Sequence, residues 1–251
     1  MNISVSQQNP PALSSTIGEL STPVNTHTDA MKKRVSADPL SLIPRILSRL
    51  YTLWLVWTYP FASVGKGFWT HYTLDVRRLV SPYIKLGKGV GIDQDVWLNI
   101  PFVPESPDPV IILEDGCRIG RRCMISAKNR VQIGPNVIFG PSVLITDHLH
   151  AFEDVRVPIV FQGITEGGTV RIEEGCWFGF GAAVVCNHGE LVIGKNSVVG
   201  ANSVVTRSVP PGSVVVGNPA RVVKRFDPAR GEWVLGGATA PAGPRKEAAK
   251  V

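Results

Sequence analysis

Large apolar residues recur every six positions along much of this chain. Ile172, Phe178 and Val184 are six apart, and after a short break so are Ile193, Val199 and Val205. The residue that follows is mostly Gly or another small or polar one, as in Phe178-Gly179, Ile193-Gly194 and Val199-Gly200. An amphipathic helix repeats near 3.6 residues and a strand at two, so a period of six fits neither. It fits a coil in which each hexad forms one flat face and turns a corner. Three faces close a rung and the apolar residues stack inside. A hexapeptide repeat of this kind marks a parallel β-helix, an all-β fold.

The register extends toward the N-terminus through Leu86, Ile92 and Leu98, then Leu113, Ile119 and Ile125, then Ile133, Phe139 and Ile145. With the two triplets above, that predicts five rungs. Spacing departs from six only at 98→113, 125→133, 145→172 and 184→193, always after the third member of a triplet. In a three-sided coil every third corner lies on one edge, so all four insertions should emerge there, one above another. Loops stacked on a rigid scaffold are where binding and catalysis concentrate. That edge is the candidate site.

A chain of 251 residues, 44% hydrophobic, has enough apolar material for a full core. Its net charge of +6 is clustered: Lys32, Lys33, Arg34, Arg45 and Arg49 precede an apolar run, and Arg221, Lys224, Arg225 and Arg230 follow the repeats. Such patches suit phosphates, acidic lipid or acidic glycans. No nucleic-acid motif accompanies them. Cys117, Cys123, Cys176 and Cys186 form no CxxC pair, which argues against a zinc knuckle and for structural thiols in a reducing cytoplasm. The first thirty residues are polar and carry no signal-peptide pattern.

The expected organisation has four parts. Residues 1–38, rich in Ser, Thr, Pro and Asn, read as a disordered tail. Residues 39–83 hold an apolar, amphipathic helical segment and a connector with room for a partial rung. In that segment Arg45, Ser48, Arg49 and Thr52 share one helical face. Pro60 ends the run well short of the roughly 20 residues a span needs. Two readings stay open for residues 41–61: a Trp-bearing helix lying in a membrane surface, or a helix packed on the coil. The β-helix occupies 84–226, ending in a basic turn or helix over Arg221–Phe226 that caps the open end. Residues 227–251, rich in Ala, Gly and Pro, read as a loose tail.

The longest insertion, 145→172, carries Asp147, His148 and His150. An imidazole is the side chain best suited to accept a proton near neutral pH, and acyl transfer to a hydroxyl needs such a base within hydrogen-bond reach. His148 leaves the coil three residues after Ile145, so the rung sets its position. The insertion at 184→193 adds Cys186, Asn187, His188, Gly189 and Glu190 to the same edge.

Ile145-Thr146-Asp147-His148, Cys176-Trp177-Phe178-Gly179, Ile193-Gly194, Val199-Gly200-Ala201-Asn202-Ser203-Val204-Val205-Thr206 and Gly217-Asn218-Pro219-Ala220-Arg221 together resemble the hexapeptide-repeat acyltransferases. The match is to the sugar O-acetyltransferase branch of polysaccharide biosynthesis, the maltose, galactoside and colanic-acid type, over about residues 84 to 226. The resemblance implies a left-handed parallel β-helix, a homotrimer with sites between neighbouring coils, and acetyl-CoA as co-substrate with no metal. It implies His148 as general base, with direct attack of the acceptor hydroxyl on the thioester. Trp177 matches an aromatic beside the acyl-donor channel. Phe180, Ala201, Thr206 and Arg207 match pantetheine-contacting positions, and Arg221 and Lys224 match cations near the nucleotide phosphates. Asn99, Asp147, His150 and Trp177 are the substrate-binding candidates. Phe178 and Phe180 are bulkier than the family's usual residues, which predicts a reshaped donor channel.

Two other functions fit the same coil. A carbonic-anhydrase-like enzyme would need three nitrogen ligands for zinc, with His148, His150 and His188 available. A trimeric scaffold would need no chemistry at all. The acetyltransferase reading places the protein in the cytoplasm, against the inner face of a membrane if residues 41–61 bind there.

Overall fold

A hexad leaves two or three residues for each flat face before the chain must turn, so the strands of such a coil are short. The computed structural model, which describes residues 42–236, has this form. Face A is built from Ser63–Val64, Ile84–Leu86, Ile111–Leu113, Arg130–Ile133, Gly167–Ile172 and His188–Ile193. Face B stacks Trp69–Thr70, Gly91–Ile92, Arg118–Ile119, Ile138–Phe139, Trp177–Phe178, Val198–Val199 and Ser213–Gly217. Face C stacks Asp75–Val76, Trp97–Asn99, Met124–Ser126, Leu144–Thr146, Ala183–Val185 and Val204–Val205. The chain visits A, B and C in turn, and neighbouring strands on the coil's faces pair in parallel.

Register puts the predicted inward residues above one another. Ile133 pairs with Ile172 and Ile172 with Ile193 on face A. Phe139, Phe178 and Val199 do so on face B, and Ile125, Ile145, Val184 and Val205 on face C. All ten are at most 3% exposed. Each large aliphatic buried this way contributes about 1.5–3 kcal/mol. Phe139 and Phe178 meet edge to face at 4.8 Å between ring centroids. Phe178 is thus a core residue at 0% exposure and cannot shape a surface channel, which corrects that part of the expectation.

The coil opens at Ser63, one rung before the expected start at 84, so six rungs form rather than five. The first was hidden because its inward position on face B is a polar residue, Thr70, and because a 3-10 turn over Arg78–Tyr83 breaks the spacing to Leu86. The four expected insertions all join face C to face A, on the single edge that the spacing predicts.

Both ends are covered. Trp69 and His71 donate their amides to Val90 and Ile92 in the second rung. The backbone of Thr70 between them faces the open end, where Thr52 Oγ1 accepts its N–H at 3.1 Å. Thr52 belongs to the helix Leu42–Thr58. Tyr51 of that helix donates its hydroxyl to Leu74 O, and Leu55 is fully buried on the coil. A free strand edge is a liability, and this helix covers it. At the other end the expected basic turn or helix is instead a strand, Ala220–Asp227, antiparallel to Ser213–Gly217. Glu232–Leu235 then pairs antiparallel with it, inside the region expected to be a loose tail. β-branched Val214, Val215, Val216, Val222 and Val223 favour strands, and a two-residue turn at Asn218-Pro219 closes the hairpin. The tails expected at 1–38 and beyond 236 lie outside the described residues.

Corners are tight. Gly175 has φ +72, and a Cβ there would lie 2.3 Å from Asn196 Oδ1 in the next rung. Cys117, Cys123 and Cys176 fill corners and point their thiols at the carbonyls of Gly134, Gly140 and Gly194, 3.1–3.2 Å away. Burial pushes each of these thiols up to about 11 from the ordinary 9.0.

Candidate functional site

Two insertions stacked on the C–A edge build a fixed centre. Where face C ends at Thr146 the next residue, Asp147, is fully buried. Its carboxylate reaches to the preceding insertion. Oδ1 accepts the Lys128 amide at 2.7 Å, and Oδ2 accepts the amides of Asn129 and Arg130 at 2.8 Å each. Oδ1 also accepts from His148 Nδ1 at 2.8 Å. His148 is itself buried, at 9% exposure.

The following loop closes over this pair. Thr146 Oγ1 donates to His148 O at 2.9 Å. Gly168 N donates to Asp147 O at 2.7 Å, and Asn129 Nδ2 bridges Glu166 O and Gly168 O. Gly167 makes this possible: its φ is +76, and a Cβ there would lie 2.7 Å from Asp147 O and 3.3 Å from His148 Cβ. Lys128 Nζ donates to Thr165 O at 2.7 Å. The neck of the loop is then closed by an isolated antiparallel bridge, with His150 opposite Ile164.

Chemically, the arrangement orients one imidazole. A proton on Nδ1 is held by a carboxylate whose oxygens are occupied by backbone amides, so the ring cannot turn and Nε2 carries the lone pair. A hydroxyl within hydrogen-bond reach of Nε2 would have its base in place. Asp147, expected among the substrate contacts, is fully buried behind the imidazole and bonded to its Nδ1.

The remaining candidates divide between sides of the coil. Asn99 ends the face C strand two rungs below Thr146, in register through Ser126, to whose Oγ it donates at 2.9 Å. It therefore shares the edge with His148, roughly 10 Å down the stack at about 4.8 Å per rung. A groove lined by Phe102, Pro104, Glu105, Asp108, Lys128 and Arg130 runs along this edge. Thr206 and Arg207 follow the last face C strand, also on this edge, and both are exposed. His150 is exposed on the loop neck. Trp177 lies on the outside of face B, half-exposed, and Phe180 and Ala201 occupy the B–C corner. Arg221 and Lys224 are exposed on the C-terminal hairpin that extends face B. Face B is opposite the C–A edge, so one chain alone does not bring Trp177, Phe180 or Ala201 to His148. Among the described residues no three His, Cys, Asp or Glu side chains gather as a metal-binding group, so His148, His150 and His188 form no zinc ligand set.

Lys128, Asn129, Arg130 and the Gly167-Gly168 pair had not been singled out from sequence. Their signal was the stacking of the 125→133 insertion beneath 145→172, which places its backbone under Asp147.

No family model matches the chain. A Mycobacterium tuberculosis protein named "Probable acetyltransferase" is 34% identical over 161 residues, 64% of this chain and 49% of that protein. A Schizosaccharomyces pombe protein whose name carries a similar provisional assignment is 33% identical over 101 residues, 39% of this chain and 44% of its own. The chain thus spans about half or less of the length of these curated relatives. Among solved structures, the N-acyltransferase AntD of Bacillus cereus, in complex with dTDP and 3-hydroxybutyryl-CoA, superposes with a TM-score of 0.54 at 20% identity, covering 66% of this chain and 84% of AntD. An AntD variant bound to dTDP-4-amino-4,6-dideoxyglucose and coenzyme A gives 0.57 at 19%, covering 70% and 89%. The chain has the fold of the left-handed β-helix, hexapeptide-repeat acyltransferases and is related in sequence to proteins named acetyltransferases.

Proposed function

We propose that this protein is an acetyl-CoA-dependent O-acetyltransferase acting on a hydroxyl of a sugar or polysaccharide precursor. The observation that carries the reading is the buried Asp147–His148 pair, its carboxylate held by three backbone amides and its imidazole by that carboxylate. In the proposed reaction Nε2 of His148 removes the acceptor hydroxyl proton as the oxygen attacks the thioester carbonyl. The tetrahedral intermediate collapses with cleavage of the C–S bond, and the departing thiolate takes the proton back from Nε2. No covalent enzyme intermediate forms.

The division of candidates across the coil supports a homotrimer with sites between copies. The C–A edge of one copy supplies His148, Asn99 and the groove beside Lys128. A neighbouring copy turns Trp177, Phe180 and Ala201 toward it. In this reading pantetheine runs along that seam, past Thr206 and Arg207, and the phosphates of coenzyme A meet Arg221 and Lys224. The acceptor occupies the groove along the first insertion. In this reading the protein works in the cytoplasm.

The test is acetyl transfer from acetyl-CoA to a panel of sugars and glycan precursors, followed by mass spectrometry, with His148→Ala beside the wild type. Transfer lost in the variant, with coenzyme A binding and oligomeric state retained, supports the reading. Full activity in His148→Ala overturns the mechanism. Absence of coenzyme A binding by an intact assembly gives the fold a scaffold role.

A further inference from the structure

The helix Leu42–Thr58 has a second face that the coil does not use. Ser48, Tyr51, Thr52 and Leu55 turn toward the first rung. On the opposite side Ile43, Ile46, Leu50, Leu53 and Trp57 recur at helical spacing and stand 53–87% exposed. A surface helix of a globular protein ordinarily places such a stripe against the core and its hydroxyls in water. Here the order is reversed. Contiguous exposed apolar surface of this kind marks a site of interaction.

Charge around the stripe selects the partner. The helix contains no Asp or Glu, and Arg45 and Arg49 lie at one border of the stripe, between it and the coil-facing Ser48 and Thr52. Lys66 and Arg78 are exposed in the first rung and the turn after it, while Arg77 turns to Asn99 Oδ1 and Ile100 O of the second rung, and Asp75 is the single carboxylate over residues 42–79. Arg78 donates to Thr58 O at the end of the helix, which holds that cation at the same end of the coil. A second copy meeting this face about a two-fold axis would bring like charges together. An anionic bilayer instead takes the cations at its headgroups, the indole rings at the interface and the aliphatic side chains just beneath. No helix among the described residues is long and apolar enough to cross a membrane.

We propose that this outward face docks the protein on an anionic lipid surface, with the helix lying in the headgroup plane. Because the inner face of the helix closes the first rung, docking leaves the C–A edge free, so the surface is independent of the acetyltransferase reading.

The experiment is co-sedimentation of the full chain with phosphatidylcholine vesicles, with and without phosphatidylglycerol. The full chain is expected to pellet with the anionic vesicles and to bind neutral ones about tenfold or more weakly. Leu50→Ser with Trp57→Ser should lower anionic-vesicle binding about tenfold or more, with the thermal midpoint kept because both side chains are exposed. Arg45→Gln with Arg49→Gln should reduce the preference for anionic vesicles. Failure of the wild type to pellet with anionic vesicles overturns the proposal. In that case a smaller assembly for the Leu50/Trp57 variant on size exclusion assigns the stripe to a second copy. Vesicle binding gained only on removal of residues 1–41 assigns it to that segment.

Discussion

The C–A edge and the B–C corner of this coil grow from the same hexad, yet the chain treats them differently. At the B–C corner every turn is short, and the left-handed backbone positions recur at Asp95, Arg122, Ser142, Gly181 and Asn202. At the C–A edge the chain leaves between rungs, and the excursions interlock through their backbones. Asp147 in one insertion is held by the amides of Lys128, Asn129 and Arg130 in the insertion below. Regular corners give the coil its stiffness. The irregular edge uses that stiffness to hold one imidazole in a single orientation.

Several substitutions would break or sharpen that contrast. The largest effect belongs to the edge: His148→Ala is expected to lower acetyl transfer about 10²–10⁴-fold with the folded assembly retained, checked by steady-state kinetics beside size-exclusion chromatography. Asp147→Asn should lower both activity and stability, since the amide cannot accept from His148 and all three backbone donors as the carboxylate does. It is separated from His148→Ala by the larger fall in thermal midpoint, since Asp147 anchors three backbone amides as well as the imidazole. In the regular part Phe178→Ala should cost about 3–5 kcal/mol of stability, read from chemical denaturation. Gly175→Ala at a corner should destabilise by about 1–3 kcal/mol, because it forces φ +72 on a residue with a Cβ beneath Asn196.

The remaining effect is one of pH. Burial raises the thiols of Cys117, Cys123 and Cys176 from 9.0 to about 11. The neutral thiol is the form the fold favours, so its contribution is fully present below pH 9 and is lost as pH rises toward about 11. The thermal midpoint should fall across that window, and replacing the three cysteines by Ala should flatten the decline.

Much of this was legible because the period depends on the core alone. Ile133, Phe139 and Ile145 repeat at six since each must fill the same cross-section as the residue below. The loops share one edge for the same geometric reason. What stayed hidden depends on backbone atoms or on a break in apolar spacing. Thr70 disguised the first rung with a hydroxyl that remains buried. The C-terminal hairpin was masked by its cations, although its valines carry the strand signal. The cradle around Asp147 consists of amides, which have no side-chain signature. The outward stripe of the first helix was visible as composition. Only its burial pattern tells which face the coil leaves bare.

A stack of equal storeys is also a measuring rod. His148 leaves the fourth of them, so three steps of about 4.8 Å separate its level from the first rung, which the helix Leu42–Thr58 covers. Each storey is one complete revolution of the chain, so removing one would lower the imidazole by a step without swinging it to another side. Height and bearing are therefore separate quantities in this architecture, and the first can change by whole storeys while the second is conserved.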